Sequence, residues 1–96
     1  MDKRFDISEF INAETEQSVL AGLVKREKLR RKELGLTQKE LASKSGVSYA
    51  SVRRFETTGD ISLNSLLKIG NALGCLSDFN DLFKNKIITD LKDYKV

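Results

Sequence analysis

The architecture of this chain is written most densely in Leu36-Thr37-Gln38-Lys39-Glu40-Leu41-Ala42-Ser43-Lys44-Ser45-Gly46-Val47-Ser48-Tyr49-Ala50-Ser51-Val52-Arg53-Arg54-Phe55-Glu56. Thr37 and Glu40 have the spacing of a capping box. The hydroxyl bonds a free backbone N–H, and the carboxylate reaches back to the cap's own N–H. A short helix therefore starts at Thr37, with Leu41 and Ala42 facing inward. Gly46 interrupts it, because glycine takes positive φ at a sharp corner without steric penalty. Ser48 caps a second helix from Tyr49 to about Glu56, with Val52 and Phe55 on its inner face. Small Ala42 lets the two helices approach closely, and Val47 and Val52 plug the underside.

Two short capped helices joined by a glycine turn have the geometry of a helix-turn-helix, in which the second helix is held away from the body. The outer face of that helix offers Ser48, Tyr49, Ala50, Ser51 and Arg54. These side chains are short or polar enough to enter a major groove. Arg53 lies nearer the flank and suits a phosphate. Tyr49 either points outward or packs over the core.

Elements on either side extend the pattern. A long helix is expected from about Thr15 to Leu34, with Leu20, Leu23, Val24 and Leu34 at helical spacing and Gly35 at its end. Thr57-Thr58-Gly59-Asp60 reads as a turn. Ser62 caps a helix from Leu63 to Leu73, with Leu63, Leu66, Leu67, Ile69, Ala72 and Leu73 mostly inward, and Gly74 stops it. Ser77 or Asp78 opens a fifth short helix with Phe79, Leu82 and Phe83 as its stripe. Lys86-Ile87-Ile88-Thr89 has the only β-like run, which either forms a strand or extends helix five. Residues 1–17, with Phe5, Ile7, Phe10 and Ile11, form an arm or short helix. The fold class is all-α: a five-helix domain over 18–84, followed by a tail over 85–96.

Composition narrows the chemistry. The chain has 96 residues, no His, no Pro and one Cys. Without imidazole, and with Cys75 alone, neither a Cys/His zinc site nor an intramolecular disulfide can be built. No nucleophile–base pair is evident, so an enzyme is not expected, nor a cofactor. Cys75 reads as a small buried residue rather than a redox switch. No apolar run approaches the roughly 20 residues that cross a bilayer. The first residues lack the apolar core of a signal peptide, so a cytoplasmic protein with no membrane partner is expected.

The net charge of +3 conceals a pattern. Residues 1–17 are net −3, residues 25–56 are net +6, and the rest is neutral. A basic block within a small domain suits a polyanion. It also suits a solvated helix face with Glu–Lys pairs, and charge alone does not choose. Lys39, Lys44, Thr57 and Thr58 are weaker phosphate candidates, each balanced against ordinary surface.

With these residues in place, the segment from about Leu23 to Gly74 resembles the Cro/repressor-type (XRE) helix-turn-helix family. The resemblance rests on LTQKELA, SGVS and RRFE, followed by a leucine-rich helix ending in Ala-Leu-Gly. It implies a five-helix fold in which helices two and three bind double-stranded DNA. It implies that Gln38 bonds a phosphate and that Ser48, Tyr49, Ala50 and Arg54 face the bases. It further implies a buried ion pair between Arg31 and Glu56. Glu27 departs from the pattern, since the family places an apolar residue there. A small rotation of helix one, with Leu29 as the substitute, is the expected remedy.

The second half is also similar to the antitoxin-repressors of Hip-type toxin–antitoxin operons, whose partner is a kinase-fold toxin. The sequence thus predicts a homodimeric repressor reading an inverted repeat. Backbone amides at the Thr37 cap and the basic side chains would hold phosphates, and helix five plus the tail would form the dimer surface. Its rival is an antitoxin that neutralises a toxin partner and represses its own operon.

Overall fold

The computed structural model describes residues 13–87. Within them lie four α-helices, α1 (Glu16–Glu33), α2 (Gln38–Ser45), α3 (Tyr49–Thr58) and α4 (Leu63–Ala72), followed by a 3-10 helix (Leu76–Asp81). No strand occurs among the described residues, and the class is all-α. No helix among them is long and apolar enough to cross a membrane.

The helix starts follow from side chains three residues apart. Thr37 Oγ1 accepts the Glu40 N–H at 3.0 Å, and Glu40 Oε1 accepts the Thr37 N–H at 2.8 Å. Thr15 and Ser18 form the same reciprocal arrangement ahead of α1. Ser48 and Ser62 each accept one N–H, from Ser51 and Ser65. Each such cap is worth about 1 kcal/mol. Gly46 ends α2 at φ 78°, a conformation that side-chain-bearing residues rarely adopt. The next residue, Val47, can then drop into the core while Ser48 starts α3.

The core forms where α2, α3 and α4 meet. Leu41, Val52, Phe55 and Ile69 are fully buried, joined by Ala42, Val47 and Leu73. Each of the large side chains contributes about 1.5–3 kcal/mol relative to an exposed position. Leu36, Ile61, Ala72 and Cys75 pack against this centre. α2 packs on both α3 and α4, the 3-10 helix packs on α4, and α1 packs on α3.

Several expectations need correction. The apolar stripe of α1 is only partly inward: Leu23 and Val24 are half-buried, Leu20 and Leu34 are exposed, and the two buried residues of the helix are Glu27 and Arg31. Helix one is not rotated to bring Leu29 inward. Leu29 is 53% exposed and Glu27 only 7%. Arg31 explains this, because its reach to α3 sets the angle of α1 about its axis. Glu27, one turn earlier on the same face, is carried inward with it. Leu63 is exposed, since it occupies the first, uncovered turn of α4.

Thr57 and Thr58 belong to the last turn of α3 rather than to a turn, and Gly59 terminates the helix at φ 83°. The fifth helix is a 3-10 segment that ends before Leu82. Phe79 packs against Gly70, whereas Leu82 and Phe83 are exposed. Lys86 and Ile87 form no strand. Ile88, Thr89 and the expected arm with Phe5, Ile7, Phe10 and Ile11 lie outside the described residues.

Candidate nucleic-acid interface

Val52, Phe55 and Glu56 are buried, so the opposite face of α3 is free. At 100° per residue that face holds Ala50, Arg53, Arg54 and Thr57, spaced three and four apart. All four are exposed. Burying Val52 and Phe55 therefore determines which side chains are presented outward.

Tyr49 starts this helix and joins it to α2. Its ring has Lys39 Nζ at 5.4 Å and the Arg53 guanidinium carbon at 5.6 Å from the centroid. Both distances fall within cation–π range. Lys39 of α2 and Arg53 of α3 are thereby gathered at one aromatic ring, and two positive charges face the same side. Tyr49 is exposed, so it lies over this surface rather than within the core.

Arg54 is placed differently. Its Nη2 contacts Asp60 Oδ2 at 2.7 Å, with both side chains well exposed. An exposed pair of this kind is worth only about 0–1 kcal/mol, so it restrains Arg54 without immobilising it. Lys44, in the last turn of α2, is exposed.

The hydroxyl candidates are largely committed to their own helix. Thr57 Oγ1 and Thr58 Oγ1 donate to the carbonyls of Arg53 and Arg54, each at 2.8 Å. Ser48 Oγ donates to Ser51 Oγ at 2.8 Å while capping α3.

Gln38 also turns inward. Its Nε2 donates to Glu56 Oε1 at 2.9 Å, from a half-buried position. Arg31 reaches the same carboxylate twice, Nε to Oε2 and Nη2 to Oε1, each at 2.8 Å. Its Nη1 donates to the Leu36 carbonyl at 2.8 Å. Arg31 thus joins α1, the loop after it and α3, and Glu56 joins all of these to the first residue of α2. Burial alone would raise the Glu56 carboxyl. Hydrogen bonds from Arg31 and Gln38, with the Arg31 charge, act against that, and the carboxyl is held below 4.5.

Two features escape inspection of the helix-turn-helix segment alone. Asp60 sits beyond α3 in sequence and meets Arg54 only because Gly59 reverses the chain. Lys25, Lys28 and Lys32 belong to the basic block but lie elsewhere. They line a groove with Leu20, Thr57 and Thr58, between α1 and the end of α3. Their spacing of three and four along α1 is the signal that they share one face.

Two capped helices at a left-handed glycine, with a basic outer face on the second, define a helix-turn-helix DNA-binding domain. A family model described as helix-turn-helix (HTH_3) matches residues 28–79, more than half of the chain. The chain belongs to that family, the Cro/C1-type (XRE) helix-turn-helix DNA-binding transcriptional regulators. No curated protein and no solved structure matched significantly. The narrower Hip-type resemblance finds no support in these comparisons.

Proposed function

We propose that this regulator is a repressor that binds an inverted-repeat operator as a homodimer, through a domain spanning 18–84. The observation that carries this reading is the exposed α3 stripe of Ala50, Arg53, Arg54 and Thr57, flanked by Tyr49 and Lys39. Inserted in a major groove, α3 presents Ala50 to a thymine methyl and Arg54 to a guanine edge. A bidentate Arg–guanine contact is worth about 1–3 kcal/mol of discrimination. Arg53 and Lys39 lie over Tyr49 and suit the flanking phosphates. The free N–H groups at the start of α2, together with Lys44, add to that anchoring.

Gln38 enters this reading as part of the scaffold that sets α2 against α3. To touch a phosphate as well, it keeps one amide proton free while the other holds Glu56.

Dimerisation follows from affinity. One α3 makes too few contacts to compete with genomic non-specific sites, whereas two in register read half-sites about 34 Å apart. The exposed apolar side chains Leu76, Leu82, Phe83 and Ile87 are gathered at the C-terminal end of the described residues and favour that end as the contact.

Selection of bound duplexes from a random pool tests the reading. Enrichment of an inverted repeat, with a dimer sedimenting on the selected duplex, is the expected result. Enrichment of no sequence, or saturation by one chain per site, overturns it.

A further inference from the structure

Glu27 lies on the inner face of α1, one turn before Arg31, and is 7% exposed. Both carboxyl oxygens are shut off from solvent, and neither has a hydrogen-bonding N–H or hydroxyl partner among the described residues. The polar group it faces is a second acid, Glu56. Glu56 already accepts Arg31 Nε on Oε2, and Arg31 Nη2 and Gln38 Nε2 on Oε1. A carboxylate has about four acceptor positions, so one remains on Oε2. A second carboxylate facing it would be a buried like charge, which is strongly unfavourable. A neutral carboxyl resolves both problems, because its O–H donates to the position that is left.

We propose that Glu27 carries a proton in the folded domain and acts, through Glu56, as a positioning residue for the start of α2. The neutral Glu27 donates to Glu56, and Glu56 holds Gln38 and Arg31. The link to DNA rests on the reading of α2 and α3 as the DNA-binding unit; the proton site does not.

The electrostatic surroundings agree with the geometry. Burial first, then the hydrogen bond and charge of Glu56, push the Glu27 carboxyl from 4.5 to about 8. Arg31 and Lys28 on α1 pull the other way and are outweighed. Gln38 of α2 is neutral. The groove on the far side brings Arg26 and Arg30 of α1 and Asp78 of the 3-10 helix, while α4 contributes Leu63, Leu66, Ile69 and Gly70 there. The folded state therefore binds a proton that the unfolded chain releases near 4.5. The stability tied to it is complete below that value and is lost as pH rises toward about 8. Once Glu27 ionises, two carboxylates compete for Arg31, and the hold of Glu56 on Gln38 loosens.

Carbon-13 spectroscopy of the glutamate side-chain carboxyls, on the full chain across pH, tests this directly. One resonance, missing in Glu27→Gln, should titrate near 8; a Glu27 resonance titrating near 4.5 overturns the proposal. The amide of Glu27→Gln mimics the neutral acid. Denaturation of the wild type should show a decline above about pH 5 that this variant lacks, and parallel profiles overturn the proposal. Affinity for a selected duplex is then compared at about pH 6.5 and about pH 9, at constant salt. The wild type should weaken severalfold and Glu27→Gln should not. Equal weakening in both overturns the positioning role even if the resonance titrates near 8. If no duplex is bound at any pH while the resonance still titrates near 8, the DNA-binding reading fails and the proton site stands. Should Glu27→Gln not fold, the wild-type titration, assigned through the backbone, decides alone.

Discussion

Arg31 and Glu56, 25 residues apart in sequence, meet in a two-point ion pair with both N···O distances at 2.8 Å. Both residues are buried, and the pair is the main polar connection between α1 and α3. Removing one partner leaves the other as an uncompensated buried charge. Arg31→Met should therefore lose about 3–5 kcal/mol in urea denaturation. The double variant Arg31→Met/Glu56→Leu should regain part of that loss, because an apolar pair of similar volume needs no desolvation of charge, while Gln38 and Glu27 lose the carboxylate they face. Equal losses in the single and double variants would place the energy elsewhere.

Glu56 also predicts an acid limb. Its carboxyl is held below 4.5 in the folded state, so its contribution is present above that value and is lost as pH falls through the folded-state value. This is opposite in sign to Glu27. Together the two groups give a stability curve that falls on both sides of a maximum at mildly acidic pH. Urea midpoints measured from about pH 3 to about pH 9 check the shape. A curve that keeps rising to pH 9 contradicts the Glu27 assignment, and a curve with no fall on the acid side contradicts that of Glu56.

In the proposed reading Arg54 leaves Asp60 to reach a base. Asp60→Asn removes that competitor and a negative charge from the binding face. Affinity for the selected duplex should rise by up to about fivefold, the equivalent of a surface pair worth at most about 1 kcal/mol. Arg54→Ala should relax discrimination at one base pair while circular dichroism is unchanged. If Asp60→Asn weakens binding, Arg54 is being oriented by Asp60 rather than withheld.

The cluster at Tyr49 separates charge from geometry. Arg53→Ala and Lys39→Ala should each lower the slope of log affinity against log salt by about 1. Tyr49→Leu keeps both charges and should retain the slope, while affinity falls at every salt concentration. Fluorescence anisotropy over a salt series measures all three. An unchanged slope in Arg53→Ala would remove it from the phosphate contacts.

Much of the helical scaffold is legible without coordinates. The Thr37–Glu40 box, the Ser48 and Ser62 caps and Gly46 mark where α2, α3 and α4 begin or turn. Leu41, Val52, Phe55 and Ile69 stand at the spacings that become the core. The polar assignments are less legible. Gln38 reads as an outward residue at a helix start, yet its amide bonds Glu56. Thr57 and Thr58 read as turn residues with free hydroxyls, yet they close the last turn of α3 and donate to its carbonyls.

Caps and glycine turns involve atoms within a few residues of each other, so the sequence by itself determined where α2, α3 and α4 start and the order in which the helices follow. Rotation about a helix axis is different, because contacts with other elements set it. Only the tertiary structure decided that Glu27 rather than Leu29 is buried, that Arg54 meets Asp60, and that Tyr49 lies between Lys39 and Arg53. In α1 the rotation is governed by Arg31 reaching a carboxylate on another helix, and no local pattern in residues 16–33 encodes that partner.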